Sequence, residues 1–102
     1  SSVIYYAREH LEWSKDRLNT TPNSLLYNSY RTWCDINGRK AVNAANFGRE
    51  LNVAFPSSKA IARNGERIRD VIFKDHALNT SIPLYDLAPG SREVESTPAS
   101  PF

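Results

Sequence analysis

Residues 42–56 read VNAANFGRELNVAFP, and this stretch predicts a short helix with two different faces. Its apolar residues recur at spacings of three and four, which places them on one inward-facing stripe. They are Ala44, Phe47, Leu51 and Phe55. Asn43 is a suitable N-cap, because its side-chain oxygen can accept a hydrogen bond from a backbone N–H of the first turn. Pro56 prevents the helix from continuing.

The opposite face of this helix is polar. It carries three amides and one guanidinium, which are groups that can bond to base edges and phosphates. The residues are Asn43, Asn46, Arg49 and Asn52. An ordinary solvated face is the alternative, and the rest of the chain has to decide between the two interpretations.

Positive charge is concentrated in the middle of the chain. The whole sequence has a formal net charge of +2. Residues 1–37 carry four basic and four acidic residues, and residues 38–74 carry eight basic and three acidic residues, a net charge of +5. Residues 75–102 carry one basic and four acidic residues, a net charge of −3. Clustered positive charge is typical of a protein with a polyanionic partner, although a solvated basic surface is the alternative.

Two further helices are predicted before residue 42. Residues 3–18 show an apolar stripe at a 3-4-3-4 spacing, which includes Leu11 and Leu18. Residues 24–37 show a second stripe, and Gly38 follows where a glycine can close a helix end. Between them, Thr20 and Thr21 form a short extended piece that can pair with a later strand.

Asn64 and Gly65 predict a β-hairpin, because Asn-Gly between two extended runs favours a type I′ turn. The predicted partners are Arg63 with Glu66, Ala62 with Arg67, Ile61 with Ile68, and Ala60 with Arg69. One face then carries the pair Ile61 and Ile68, which can close over the helices. The other face carries arginines above two alanines, which leave the arginines unobstructed. The basic residues of this hairpin are Lys59, Arg63, Arg67 and Arg69.

The predicted fold class is α+β, and the architecture is a winged helix. A three-helix core containing a helix-turn-helix is followed by a two-stranded β wing, within a domain that spans residues 1–77. Residues 78–102 are predicted to be an acidic tail rich in proline and serine and largely disordered.

Residues 26–34 and 43–51 read LYNSYRTWC and NAANFGREL. They resemble the C-terminal DNA-binding domain of plasmid and phage primase–helicases of the satellite-phage alpha-protein type. That family has a Tyr-x-x-Trp-Cys helix, then Phe-Gly-Arg-x-Leu, then a basic hairpin. The resemblance implies an origin- or template-binding module of a larger enzyme, whose primase and ATPase parts lie outside this sequence.

The same residues are similar to the regulatory factor X (RFX) type of winged helix in eukaryotes. There a Leu-Tyr-x-x-Tyr helix and an Asn-Ala-x-x-Phe-Gly helix precede a basic wing, and Phe55-Pro56 fits this pattern too. The resemblance implies a transcription or chromatin DNA-binding domain. The chain departs from it at the wing, where only Lys59 and Arg63 precede the turn and the tyrosine run after the turn is missing. This departure favours the replication-protein interpretation.

The predicted partner is double-stranded DNA. The third helix lies along a groove of the duplex while the wing contacts phosphates beside it, and Arg39 and Lys40 contact the backbone. The predicted DNA-binding residues are Arg39, Lys40, Asn43, Asn46, Arg49, Asn52, Lys59, Arg63, Asn64, Arg67 and Arg69. Gly48 lies inside the third helix, where glycine lowers stability. We expect it to allow close packing of Trp33 or Tyr30.

Catalysis is not expected of this chain. No paired carboxylates, glycine-rich phosphate loop or Cys/His cluster is present in the sequence, so no catalytic residue, cofactor or metal is predicted. Cys34 is expected to serve in packing. No membrane association is expected, and the predicted compartment is the host cytoplasm, or the nucleus under the RFX-type interpretation. A winged helix that binds an acidic protein partner is the remaining alternative.

Overall fold

The computed structural model describes residues 1–58, 60–79 and 82–83, with the backbone only for 60–63 and 82–83. This part of the chain is a mixed α+β fold with three α-helices and two small antiparallel sheets. The helices are α1 (Ser2–His10), α2 (Asn23–Ile36) and α3 (Ala44–Ala54). The strands are β1 (Leu11–Trp13), β2 (Asn19–Pro22), β3 (Ala60–Arg63), β4 (Glu66–Arg69), β5 (Val71–Phe73) and β6 (Ile82–Pro83). The arrangement is compatible with a winged helix.

The prediction of a first helix over residues 3–18 is wrong beyond His10. The chain becomes extended at Leu11, and β1 pairs antiparallel with β5, with Leu11 opposite Phe73. This pairing bonds the backbone of β1 and still buries the Leu11 side chain. Leu18, predicted to be in the core, is half exposed. The periodicity of apolar residues within a short segment cannot show that a strand about sixty residues away will pair with it. Here that distant strand decides the local structure.

The hairpin is confirmed residue by residue. Strands β3 and β4 pair in the predicted register, from Arg63 opposite Glu66 to Ala60 opposite Arg69. Asn64 and Gly65 have φ angles of 50° and 80°, the positive values that a type I′ turn requires at both central positions. The turn chemistry alone was therefore sufficient to fix this register.

The extended piece at Thr20–Thr21 is strand β2, which pairs with two later strands. Thr21 lies opposite Arg69 of β4, and Thr20 lies opposite Ile82 of β6. The order of the four-stranded sheet is β3-β4-β2-β6. Strand β2, which lies immediately before α2, therefore joins the wing to the rest of the sheet.

The connection between α2 and α3 is held by tyrosine hydroxyls of α2. Tyr27 donates its hydroxyl to the Val42 carbonyl at 2.7 Å, and the Val42 N–H donates to the Tyr30 hydroxyl at 3.1 Å. Asn43 caps α3 as predicted, because its Oδ1 accepts from the Asn46 N–H at 2.8 Å. These bonds fix where α3 begins relative to α2.

The core lies between the three helices and β5. Its buried members are Val3, Tyr6, Ala7, Leu11, Leu26, Tyr30, Cys34, Phe47, Leu51, Phe55, Val71 and Phe73. Three of the four predicted inward residues of α3 are buried, and the fourth, Ala44, is exposed at the start of the helix. Phe47 stacks on Tyr30 with ring centroids 5.1 Å apart, so α3 is fixed to α2 by an aromatic contact. Cys34 is fully buried, as a packing role requires.

The sheet extends beyond the predicted domain end at residue 77, because β6 adds residues 82–83 to it. The predicted tail lies outside the described residues from residue 84 onward. Within the described part of the chain, no helix has both the length and the apolar character needed to span a bilayer.

Candidate nucleic-acid interface

A groove runs between α3, the first turns of α2 and the hairpin turn. Two exposed arginines line it from different elements, Arg49 from α3 and Arg67 from β4. The other polar lining residues are Asn23, Ser24, Asn28, Asn52, Glu66 and Arg69. Its apolar lining comes from Tyr27, Ala44, Ala45 and Phe47. The third helix and the wing therefore share one concave surface, and their arginines face the same groove.

The predicted site residues divide into four groups, one of which, Arg39 and Lys40, lies in the turn before α3. Arg49, Asn52, Arg67 and Arg69 line the groove. Asn43, Asn46 and Asn64 lie on the same elements, at the start of α3 and in the hairpin turn, but are outside the lining itself. Lys59 and the side chain of Arg63 lie outside the described residues.

Arg69 is not the unobstructed cation that the sequence predicts. Its side chain is 3% exposed and donates three hydrogen bonds to the helices. Nε donates to Asn23 Oδ1 at 2.9 Å, Nη1 to Asn52 Oδ1 at 2.7 Å, and Nη2 to the Gly48 carbonyl at 3.2 Å. The Arg69 side chain therefore packs against α2 and α3. Arg69 holds the wing to the helices, whereas Arg67, two residues earlier, is exposed.

The burial of Arg69 also affects the electrostatics at this side of the groove. Burial lowers the pKa of the Arg69 guanidinium from its usual value, and the positive charge of Arg67 lowers it further. The carboxylate of Asp70 acts in the opposite direction and raises that pKa. The guanidinium groups of Arg67 and Arg69 therefore lie close enough to repel each other at one side of the groove. A bound anion would reduce this repulsion.

The prediction that Gly48 allows close packing of Trp33 or Tyr30 is wrong, because Gly48 packs against Arg69. A Cβ placed on Gly48 would lie 3.8 Å from Arg69 Nη2, which is an ordinary van der Waals distance. The missing side chain is therefore not required by close helix packing. The carbonyl of Gly48, not the absence of a Cβ, makes the contact with the wing.

We expect Gly48→Ala to stabilise the domain by about 0.5–1 kcal/mol, because alanine is the better helix former and the space is open. Gly65→Ala is the matched control, since Gly65 also has open space but a φ of +80°. That substitution should destabilise the domain by about 1 kcal/mol. Urea unfolding of both variants measures the difference. A loss of stability in Gly48→Ala would mean that the Arg69 side chain had been displaced.

Arg39 does not reach the groove. Its guanidinium lies over the rings of Tyr5 and Trp33, at 5.2 Å and 5.3 Å from their centroids. The neighbouring Lys40 is exposed and is likewise outside the groove lining. The structure thus brings Arg49 of α3 together with Arg67 and Arg69 of the wing, but not the two predicted cations of the turn before α3.

The contribution of α2 to the groove was not predicted from the sequence. Asn23, Ser24 and Asn28 all line it, and the Ser24 hydroxyl donates to Glu66 Oε2 across to the wing at 2.9 Å. The cause is the pairing of β2 with β4, which brings the start of α2 beside the hairpin. The only signal in the sequence was the extended piece at Thr20–Thr21, whose partner strand could not be chosen from local pattern.

A family model described as Poxvirus D5 protein-like matches residues 5–79. The match covers α1 from residue 5 onward, α2, α3 and the hairpin, and it supports the predicted relation to viral primase–helicases. No curated protein matches the chain, and no solved structure matches it either.

Proposed function

The chain belongs to the Poxvirus D5 protein-like family, and on that premise we propose that it is a winged-helix domain that binds double-stranded DNA. It would be the origin- or template-binding domain of a larger viral replication primase–helicase. Family membership favours this assignment over an RFX-type transcription or chromatin domain. The departure of the wing from the RFX pattern favours the same assignment.

The shared groove is the observation that carries the proposal. Arg49 projects into it from α3 and Arg67 from β4, so one ligand can contact both. A polyanion that follows the groove would meet exposed guanidinium groups on each side. A groove for a protein helix would present a larger exposed apolar area at its centre.

The two sides of the groove have different roles in this proposal. Arg67 contacts phosphates, together with Lys59 and Arg63 as candidates from the sequence. Helix α3 lies along the major groove, with Arg49 and Asn46 as the candidates for base contact. Catalysis of nucleotide hydrolysis and primer synthesis is assigned to other domains of the larger protein, and this chain alone is expected to show no turnover.

The test is a fluorescence-anisotropy titration of a labelled duplex at several salt concentrations. Three cations assigned to phosphates, Lys59, Arg63 and Arg67, predict a slope of about −3 for the logarithm of the binding constant against the logarithm of salt concentration, and a phosphate contact by Arg49 would make it about −4. The site predicted from sequence contains seven cations, but Arg69 is buried and bonded to the helices, and Arg39 and Lys40 do not line the groove. A flat salt response would contradict the proposal.

A further inference from the structure

Arg69 fixes the orientation of two asparagine amides. A guanidinium group has only N–H donors, so the atom that faces it at each partner must be an oxygen. Asn23 and Asn52 therefore both point Oδ1 at Arg69. This orientation follows from the chemistry of arginine, and neither amide can rotate without breaking its bond to Arg69.

The amide nitrogens of the same two residues remain for a ligand. Asn23 and Asn52 both line the groove, and within the described residues neither Nδ2 group has a hydrogen-bond partner. Each Nδ2 carries two N–H donors, while the oxygen of the same amide is held by its hydrogen bond from Arg69. Exposed Arg49 and Arg67 add further donors to the lining, and neither carries an acceptor.

We infer that Asn52 and Asn23 act in the groove only as hydrogen-bond donors, because Arg69 holds the oxygen of each amide. They recognise acceptor atoms of DNA, which are phosphate oxygens and the major-groove acceptors N7 of the purines, O6 of guanine and O4 of thymine. Neither residue reads adenine through the paired amide contact, because the amide oxygen would have to turn from Arg69 toward the adenine amino group. The inference rests on the proposed function and specifies the chemistry of the same site. Arg69 is a positioning residue in it and makes no DNA contact.

Asn52→Asp tests this inference with little change to the fold. The aspartate keeps an oxygen for Arg69 to bond, and it replaces only the groove-facing donor by an acceptor. Asn28→Asp is the matched control, because Asn28 is exposed, lines the same groove and is not bonded to Arg69. It introduces the same charge without removing an oriented donor. Both variants are titrated against an A·T-only duplex and a G·C-rich duplex by fluorescence anisotropy, and circular dichroism checks that each is folded.

We expect Asn52→Asp to weaken binding by at least about tenfold more than Asn28→Asp does. An equal loss on both duplexes assigns the donor to an acceptor that all sequences share, which is a phosphate oxygen or a purine N7. A larger loss on the G·C-rich duplex assigns it to guanine O6, and a larger loss on the A·T duplex assigns it to thymine O4. Equal effects of the two substitutions would overturn the inference. Absence of binding by the unsubstituted chain would instead overturn the proposed function, so the two failures are distinguishable.

Discussion

Replacing Arg69 by alanine should lower the free energy of unfolding by about 2–3 kcal/mol, whereas replacing Arg67 by alanine should change it by less than about 0.5 kcal/mol. The two arginines lie two residues apart on β4 and have the same predicted role from sequence. The structure gives them different environments, because Arg69 is buried and Arg67 is exposed.

The physical reason is the number of interactions that each side chain makes with the helices. Alanine at position 69 would leave three acceptors without their donor, on Asn23, Asn52 and Gly48. It would also remove the packed side chain between the wing and α3. For a domain of this size, such a loss corresponds to a fall in melting temperature of roughly 10 °C or more.

Thermal and urea unfolding of the two variants, followed by circular dichroism, measure this contrast. Arg69→Lys is a useful third variant, because a single ammonium group cannot reproduce the planar, three-way hydrogen bonding of the guanidinium. It should be intermediate in stability. Equal stability of Arg69→Ala and Arg67→Ala would show that Arg69 does not hold the wing to the helices.

Replacing Arg49 and Arg67 together by alanine should weaken binding to duplex DNA by about 100-fold at 0.15 M salt. Both side chains are exposed and line the groove, so their loss removes two charged contacts without removing a buried one. The slope of the salt dependence should become less steep by about 1, since Arg67 is assigned to phosphate and each phosphate contact contributes close to one unit. Phosphate contact by Arg49 would instead reduce the slope by about 2 and make the loss independent of sequence.

The control for this experiment is the double variant Arg8→Ala, Lys15→Ala. It removes the same total charge from exposed positions that do not line the groove. We expect its affinity to fall by less than about threefold, because exposed charges more than about 10 Å from the DNA are screened. If both double variants lost affinity equally, net charge alone would explain binding and the groove would have no special role.

Local signals in the sequence were sufficient for much of the fold. Asn43 as N-cap, Pro56 beyond the helix end and the apolar stripe ending at Phe55 located α3 to within one or two residues. Asn64-Gly65 fixed both the turn and the register of the hairpin. In each case the deciding interaction joins residues close in the chain, so a short window contains all of it.

The groove itself could be predicted only in part. Its two exposed arginines were identified from the polar face of α3 and from the basic hairpin, which are local patterns. Residues of α2 were missed, and the buried state of Arg69 was missed, because both depend on the pairing of β2 with β4. Nothing near Arg69 in sequence indicates that Asn23, 46 positions earlier, accepts a hydrogen bond from it.

The sequence by itself determined where α2, α3 and the hairpin lie and that positive charge is concentrated among them, since helix caps, turn residues and charge are local properties. Tertiary structure decided three further features. They are the end of α1 at His10, the pairing of β2 with the wing, and the burial of Arg69 while Arg67 stays exposed. Each depends on a contact between residues far apart in the chain. Such contacts form only when burial and strand pairing outweigh local preference, and a local pattern cannot show which distant partner will be chosen.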